Sequence, residues 1–200
     1  KQSMILAAGF GKRMMPITKT IPKPLIKIGN LTLLENCIFI LREFGIEKII
    51  INTHHLSSKI ENYIKNKRFD INIKIIKEEN IILDTGGGIL NATLEFGEDP
   101  FIVLNPDTIW NKEHINEFKS LEKIYFEKKI TSLLLVNKNK SFDKNFSGDF
   151  NLDNKGLVSR DKSNQMIYTG AQIISREIFE NRSIKPFSMN EVWDDLITKK

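Results

Sequence analysis

The chain has a single cysteine, Cys37, so it can form no internal disulfide. In "LTLLENCIFILREFG" that cysteine recurs with Leu34, Ile38 and Leu41 at helical spacing, which makes it a small core residue and fits a reducing, cytoplasmic setting. Long apolar runs are also missing. None approaches the roughly 20 residues that span a bilayer, and the opening "KQSMILAAG" is too short for a signal peptide. Two familiar phosphate-binding patterns are absent as well. "GFGKRM" has neither the spacing nor the Ser/Thr of a Walker A loop, and it lacks the third glycine and immediate helix of a dinucleotide fingerprint. Finally, there is no basic-aromatic module. The net charge is +5, but the lysines are dispersed among acidic residues in "KIENYIKNKRFDINIKIIK" and "EFKSLEKIYFEKK". That reads as a solvated surface suited to small anionic substrates, not as a nucleic-acid groove.

What is present alternates. Apolar residues make up 40% and charged ones 28% of 200 residues, enough for one domain with a proper core. "SMILAAG", "EKIIINT", "INIKIIKEE" and "PFIVLNPD" read as strands. Between them lie helices at "LTLLENCIFILREFG", closed by Gly45, at "LSSKIENYIKNK", and at "GGGILNATLEF", which begins on its glycines. A polar helix through "KEHINEFKSLEKIYFEKK" precedes strands at "ITSLLLVNK", "GDFNLD", "GLVSR" and "MIYTGAQIIS". The end, "SMNEVWDDLITKK", is a helix capped by Ser188 with Glu191 three residues on. Strand–helix alternation implies an α/β fold with a mixed, mostly parallel sheet and helices on both faces. No repeat, linker or second core stands out, so residues 1–200 read as a single domain. The chain begins without Met, which suggests a trimmed form of a longer product.

Ligands of such sheets sit outside the carboxyl ends of the strands. Three strand-ending stretches should therefore meet on one edge: "LAAGFGKRM", "EENIILDTGGG" and "LNPDTIW". In the first, Gly9 and Gly11 let backbone N–H groups approach an anion, with Lys12 and Arg13 beside them as charge. In "TIPKPLIKIGN", Pro22 and Pro24 fix the backbone around Lys23, which marks a positioned cation. Asp107 ends the buried run "FIVLN", where a carboxylate is costly unless paired or metal-bound. The alternative for Asp107 is a turn cap beside Thr108. Other candidates weigh less. His54 and His55 are adjacent at a strand end and point to opposite faces, so a structural role is expected. "SFDKNFSGDFNLDN" reads as a solvated turn, and Trp110, Trp193 and the phenylalanines as core.

Together, "LAAGFGKRMMPITKTIPKPL", "NTHHLSSKI", "DTGGGI", "NPDTIW", "GDF" and "YTGAQIIS" resemble, in order and spacing, the sugar-1-phosphate nucleotidyltransferases. The likeness is greatest to the bacterial N-acetylmuramate-1-phosphate uridylyltransferases and mannose-1-phosphate guanylyltransferases. The resemblance implies a Rossmann-like nucleotide-diphospho-sugar transferase fold. It also implies magnesium-dependent transfer of a nucleoside monophosphate to a sugar 1-phosphate, with pyrophosphate released. It places Leu6, Ala7, Gly9, Gly11, Lys12, Thr85 and Gly86 at the nucleotide and gives catalytic roles to Arg13 and Lys23. Asp107 becomes a magnesium ligand, and Asn105, Gly148, Thr169 and Gly170 face the sugar phosphate. The partners so implied are a nucleoside triphosphate and a sugar 1-phosphate, with no nucleic acid and no membrane.

The chain departs from the family pattern in three places. Pro106 stands where a small residue is common. Tyr168 and Ser159 replace the Asn and Glu of N-acetylglucosamine-phosphate enzymes. The family's second metal-binding Asp is absent, since Asp194 and Asp195 lie too early on the terminal helix; it is expected beyond Lys200. The competing readings are a phosphocholine cytidylyltransferase and a non-catalytic nucleotide-binding module.

Overall fold

The computed structural model describes every residue except Lys144, Lys162 and Lys200. In chain order its strands begin with β1 (Gln2–Leu6), β2 (Lys27–Ile28), β3 (Leu31–Thr32), β4 (Lys48–Thr53) and β5 (Asn72–Lys77). They continue with β6 (Phe101–Leu104), β7 (Ser132–Asn137), β8 (Asn151–Leu152), β9 (Val158–Ser159) and β10 (Met166–Ile174). The centre is a six-stranded sheet of order β5-β4-β1-β6-β10-β7. Within it β1, β4, β5 and β6 run parallel. Only β10 opposes its neighbours, pairing antiparallel with both β6 and β7. Two short ribbons stand outside the sheet, β2 with β3 and β8 with β9. The two strands expected in "GDFNLD" and "GLVSR" are thus a separate hairpin.

Among the described residues five α-helices cover the sheet: α1 (Leu33–Glu43), α2 (Ser57–Lys67), α3 (Asp84–Thr93), α4 (Ile115–Lys128) and α5 (Met189–Thr198). Side chains alternate across a strand, so "SMILA" sends Ile5 to one face and Met4 to the other. Ile5, Ile49, Ile51, Ile102 and Leu104 pack with Leu34, Ile38 and Leu41 of α1, Ile60 of α2 and Phe118 of α4. Met4, Ile50, Phe101 and Val103 pack with Ile89 of α3 and with Val192 and Trp193 of α5. The core therefore lies in two parts divided by the sheet, as helices on both faces require. This explains why the central strands are apolar at consecutive positions instead of alternating. Cys37, Trp110 and Trp193 are buried as expected.

Two of the α-helices open on reciprocal caps: α5 at Ser188, as the sequence indicates, and α1 at Thr32, so that it begins at Leu33, two residues inside the segment read as helical. Thr32 Oγ1 accepts from Glu35 N–H at 3.1 Å, and Thr32 N–H donates to Glu35 Oε2 at 2.7 Å. Ser188 and Glu191 repeat the reciprocal pair at α5. Helix α3 differs: it begins at Asp84, two residues before the glycines. Among the described residues no helix is long and apolar enough to cross a membrane.

Candidate active site

Because β1, β4, β5 and β6 are parallel, the segments that follow them emerge at one edge. There they enclose a cavity of about 360 Å³. Residues 6–9 and 11–14 form one wall, Ile82, Asp84 and Thr85 another, and residues 105–107 a third, with Lys23 and Asn52 between them. The three stretches expected to converge do so.

Gly11 is required by the turn. Its φ is +62°, and an added Cβ would lie 2.8 Å from Thr18 Cγ2 and 3.2 Å from Lys23 Cβ. Its carbonyl accepts from Met14 N–H at 2.8 Å and from Thr18 Oγ1 at 3.0 Å. The chain is thereby wound into a single 3-10 turn, Lys12–Met14, from which Lys12 and Arg13 border the cavity. Gly9 has nothing within 4 Å of such a Cβ, so its place is set by the open space and not by packing.

Lys23 opens another short turn, Lys23–Leu25, behind an extended Pro22. Its Nζ lies 2.5 Å from Asp107 Oδ2, with the two side chains 22% and 39% exposed. The charge of Asp107 is met by this ion pair and not by a turn cap. The Asn105–Thr108 turn is held from behind by β10: Asn105 N–H donates to Gly170 O at 2.8 Å, and Thr108 Oγ1 to Thr169 O at 2.5 Å. Gly170 has φ +88°, and a Cβ there would lie 2.9 Å from that of Asn105. Thr169 and Gly170 therefore support the cavity wall without lining it. Gly148 is further off, against the backbone of Asn164 and Gln165. Tyr168 packs edge-on against Trp193 in the second core, where burial pushes its phenol pKa up.

On the opposite wall Asp84 lies in the left-handed region at φ 58° and accepts from Thr85 N–H at 2.6 Å. A strained non-glycine residue on a cavity wall is a common mark of a functional site. Gly86 is set back from the cavity: Gly86 N–H and Gly87 N–H both donate to Phe187 O, at 2.9 and 3.2 Å. Thr85 Oγ1 accepts from Met189 N–H at 2.9 Å, which ties this wall to the start of α5. His54 and His55 behave structurally, their rings bonding the carbonyls of Glu78 and Thr18 at 2.6 and 2.8 Å around Phe10. Asp149 is spent on Tyr168 N–H at 2.8 Å. Sequence reading missed Asn52, whose only signal is a polar residue closing the apolar run "IIIN".

The family model described as Nucleotidyl transferase matches residues 2–143. The chain belongs to the nucleotidyl transferase family. The N-acetylmuramate alpha-1-phosphate uridylyltransferase of Caulobacter vibrioides is 29% identical over 98% of this nucleotidyl transferase and 84% of its own length. The D-glycero-alpha-D-manno-heptose 1-phosphate guanylyltransferase of Campylobacter jejuni is 30% identical over 95% and 83%. Among solved structures, HddC from Yersinia pseudotuberculosis complexed with GMP-PN superposes with a TM-score of 0.73 at 25% identity. That match covers 94% of this chain and 82% of the other. The nucleotidyl transferase is thus of the sugar-1-phosphate class, with uridylyl- and guanylyltransferase relatives and the nucleotide-diphospho-sugar transferase fold.

Asp107 is a hard oxygen donor, partly exposed on the cavity wall. A carboxylate so placed fits magnesium, which is commonly held by one or two carboxylates together with substrate phosphates and water. Among the described residues no group of three or more His, Cys, Asp or Glu could hold a metal ion.

Proposed function

We propose that the chain, as a single domain over residues 1–200, transfers a nucleoside monophosphate from a nucleoside triphosphate to a sugar 1-phosphate. The products are a nucleoside-diphosphate sugar and pyrophosphate. The substrate pair is UTP with an N-acetylmuramate-type sugar phosphate, or GTP with mannose 1-phosphate or a related sugar phosphate. The cytoplasm, where both substrate types are available, is the proposed compartment. One observation carries the reading: Gly9, Gly11, Lys12, Arg13, Lys23 and Asp107 border one cavity at the carboxyl edge of a parallel sheet.

In the proposed reaction a sugar-phosphate oxygen attacks the α-phosphorus, and the bond from that phosphorus to the β-phosphate oxygen breaks. The attacking oxygen is already anionic, so no general base is needed. What remains for the protein is alignment and charge neutralisation. Leu6, Ala7, Gly9 and Gly11 admit the nucleotide against backbone, with Thr85 on the base and ribose side and Gly86 set behind it. Arg13 and Lys12 face the departing phosphates, where the Arg fork suits paired phosphate oxygens. Lys23 neutralises the reacting phosphate. Asn105, backed by Thr169 and Gly170, and Gly148 beyond them form the sugar-phosphate side. Magnesium bound at Asp107 would draw negative charge from the phosphate oxygens and hold them in line.

A pyrophosphate-release screen tests the proposal, crossing the four ribonucleoside triphosphates and dTTP with several sugar 1-phosphates and phosphocholine. Release with UTP or GTP and a sugar phosphate is expected. Release confined to CTP and phosphocholine would replace the reading with a cytidylyltransferase. Nucleotide binding without release from any pair would replace it with a binding module.

A further inference from the structure

From the cavity lining at Ala7 and Asn52 a buried polar chain runs inward to Glu78, and the proposed reaction gives no role to either of its side chains. Asn52, 2% exposed, and Glu78, 4% exposed, meet between β4 and the segment after β5. Ala7 N–H donates to Asn52 Oδ1 at 2.9 Å. Asn52 Nδ2 donates to Glu78 Oε1 at 2.7 Å. Leu83 N–H donates to Glu78 Oε2 at 2.7 Å. Ala7 begins the glycine turn and Leu83 immediately precedes Asp84, so this chain of three hydrogen bonds joins the two walls across β4. Helix α3 closes over it. A Cβ on Gly88 would come within 2.8 Å of Asn52 Nδ2 and 2.9 Å of Glu78 Oε1.

The polarity of the chain is forced. Both ends are backbone N–H donors, so Asn52 must turn its oxygen to Ala7 and its amide nitrogen to Glu78. The side chain at position 78 then faces two donors and must accept with two oxygens, which a carboxylate does and an amide cannot. A buried carboxylate is tolerated only when its oxygens are so satisfied.

We infer that Glu78 and Asn52 are positioning residues for the nucleotide, fixing the distance between the glycine turn and the Asp84–Thr85 wall. The inference rests on the proposed nucleotide site. Glu78→Gln puts an amide nitrogen, itself a donor, against either Asn52 Nδ2 or Leu83 N–H. Rotating the Asn52 amide only moves the conflict to Ala7. Asn52→Asp in the same protein resolves it. Ala7 N–H and the introduced amide nitrogen at position 78 would then donate to the two oxygens of the introduced carboxylate at position 52. Leu83 N–H would donate to the amide oxygen at position 78, with net charge unchanged.

The test titrates the wild type, E78Q and the double variant E78Q/N52D with UTP and with GTP, well below their thermal midpoints. E78Q should bind its nucleotide about tenfold more weakly, the loss expected from one unsatisfied buried donor. The KM for the sugar phosphate should be unchanged. The double variant should return to within about threefold of wild type. Wild-type affinity in a folded E78Q overturns the inference. So does a double variant that binds no better than E78Q or fails to fold. Should E78Q alone fail to fold, recovery of both folding and affinity in the double variant supports it. If the wild type binds neither nucleotide, the functional reading fails and the positioning role with it. Recovery of the thermal midpoint in the double variant still reports separately on the hydrogen-bond polarity.

Discussion

Two side chains that border the cavity illustrate how much a single residue decides. Lys23 and Asp107 are 84 positions apart in sequence, and their ion pair at 2.5 Å is partly exposed. Such a pair contributes only about 0–1 kcal/mol to stability. Removing the carboxylate should therefore leave the fold intact while depriving the phosphates and any bound magnesium of their anchor. Asp107→Asn is expected to lower kcat/KM for pyrophosphate release by about 100-fold or more, the scale of a lost transition-state charge contact. Its thermal midpoint should shift by only a few degrees. Full activity at ordinary magnesium concentrations would remove Asp107 from the mechanism. Lys23 and Arg13 were legible in the sequence because prolines and glycines punctuate the chain around them. Asn52 and Glu78 were not, because a polar residue closing an apolar run reads as the end of a strand. Nothing local says that Glu78 turns inward to meet two donors. Cys37, by contrast, was read correctly from its spacing alone, and burial pushes its thiol pKa up, with the Asp107 charge adding to the effect.

At the scale of elements, the start of α5 was legible because a cap is local chemistry, with Ser188 and Glu191 three residues apart. The same reciprocal pair at Thr32 and Glu35 went unread, although it too needs nothing distant. Glu35 nonetheless carries a distant consequence. Burial opposes its charge, but hydrogen bonds from Lys67, at 2.8 Å, and from Thr32 N–H outweigh that and hold its pKa at about 2, below the ordinary 4.5. A depressed carboxyl pKa contributes stability that is fully present above pH 4.5 and is lost as pH falls toward 2. Comparison with Glu35→Gln, which can keep the cap, isolates it. The wild type should be more stable at pH 6 by on the order of 2 kcal/mol, a value reduced for the half-exposed Lys67. That gap should close between pH 4.5 and about 2 in urea titrations; a pH-independent gap would refute the assignment. The start of α3 was misplaced for the opposite reason, because its geometry is imposed by a segment a hundred residues away. The carbonyl of Lys185 would lie 2.1 Å from a Cβ on Gly87. Helix propensity alone favours Ala over Gly by about 1 kcal/mol, but overpacking against backbone costs about 1–3 kcal/mol. Gly87→Ala should therefore destabilise the protein, seen as a lowered thermal midpoint. A raised midpoint would mean that the 185–189 segment yields freely.

At the scale of the whole molecule, the order β5-β4-β1-β6 gathers the cavity-lining segments at one edge, while α1, α2 and α4 on one face and α3 and α5 on the other hold the sheet between two cores. That much followed from strand–helix alternation, because parallel strands joined by helices have few other ways to bury both faces. The division of the core was less legible, since a consecutive apolar run does not reveal which residue faces which side. The edge also makes the site a property of the fold. Residues 6–9 and 11–14, 52, 84–85 and 105–107 lie at the ends of four different strands or in the segments that follow them, and none of them would form the cavity in an unfolded chain. A ligand of that cavity must then bind the folded state alone and stabilise it by mass action. At 100 times its dissociation constant the nucleotide should add about 2.7 kcal/mol. For a chain of this size that corresponds to a rise of roughly 5–11 °C in thermal midpoint. The stabilisation should grow by about 1.4 kcal/mol for each further tenfold in nucleotide concentration, as differential scanning calorimetry with UTP and GTP can read. Whichever of the two gives the larger shift at equal concentration identifies the preferred base without any turnover. Equal, negligible shifts with both at millimolar concentration would mean that the cavity is not a nucleotide site.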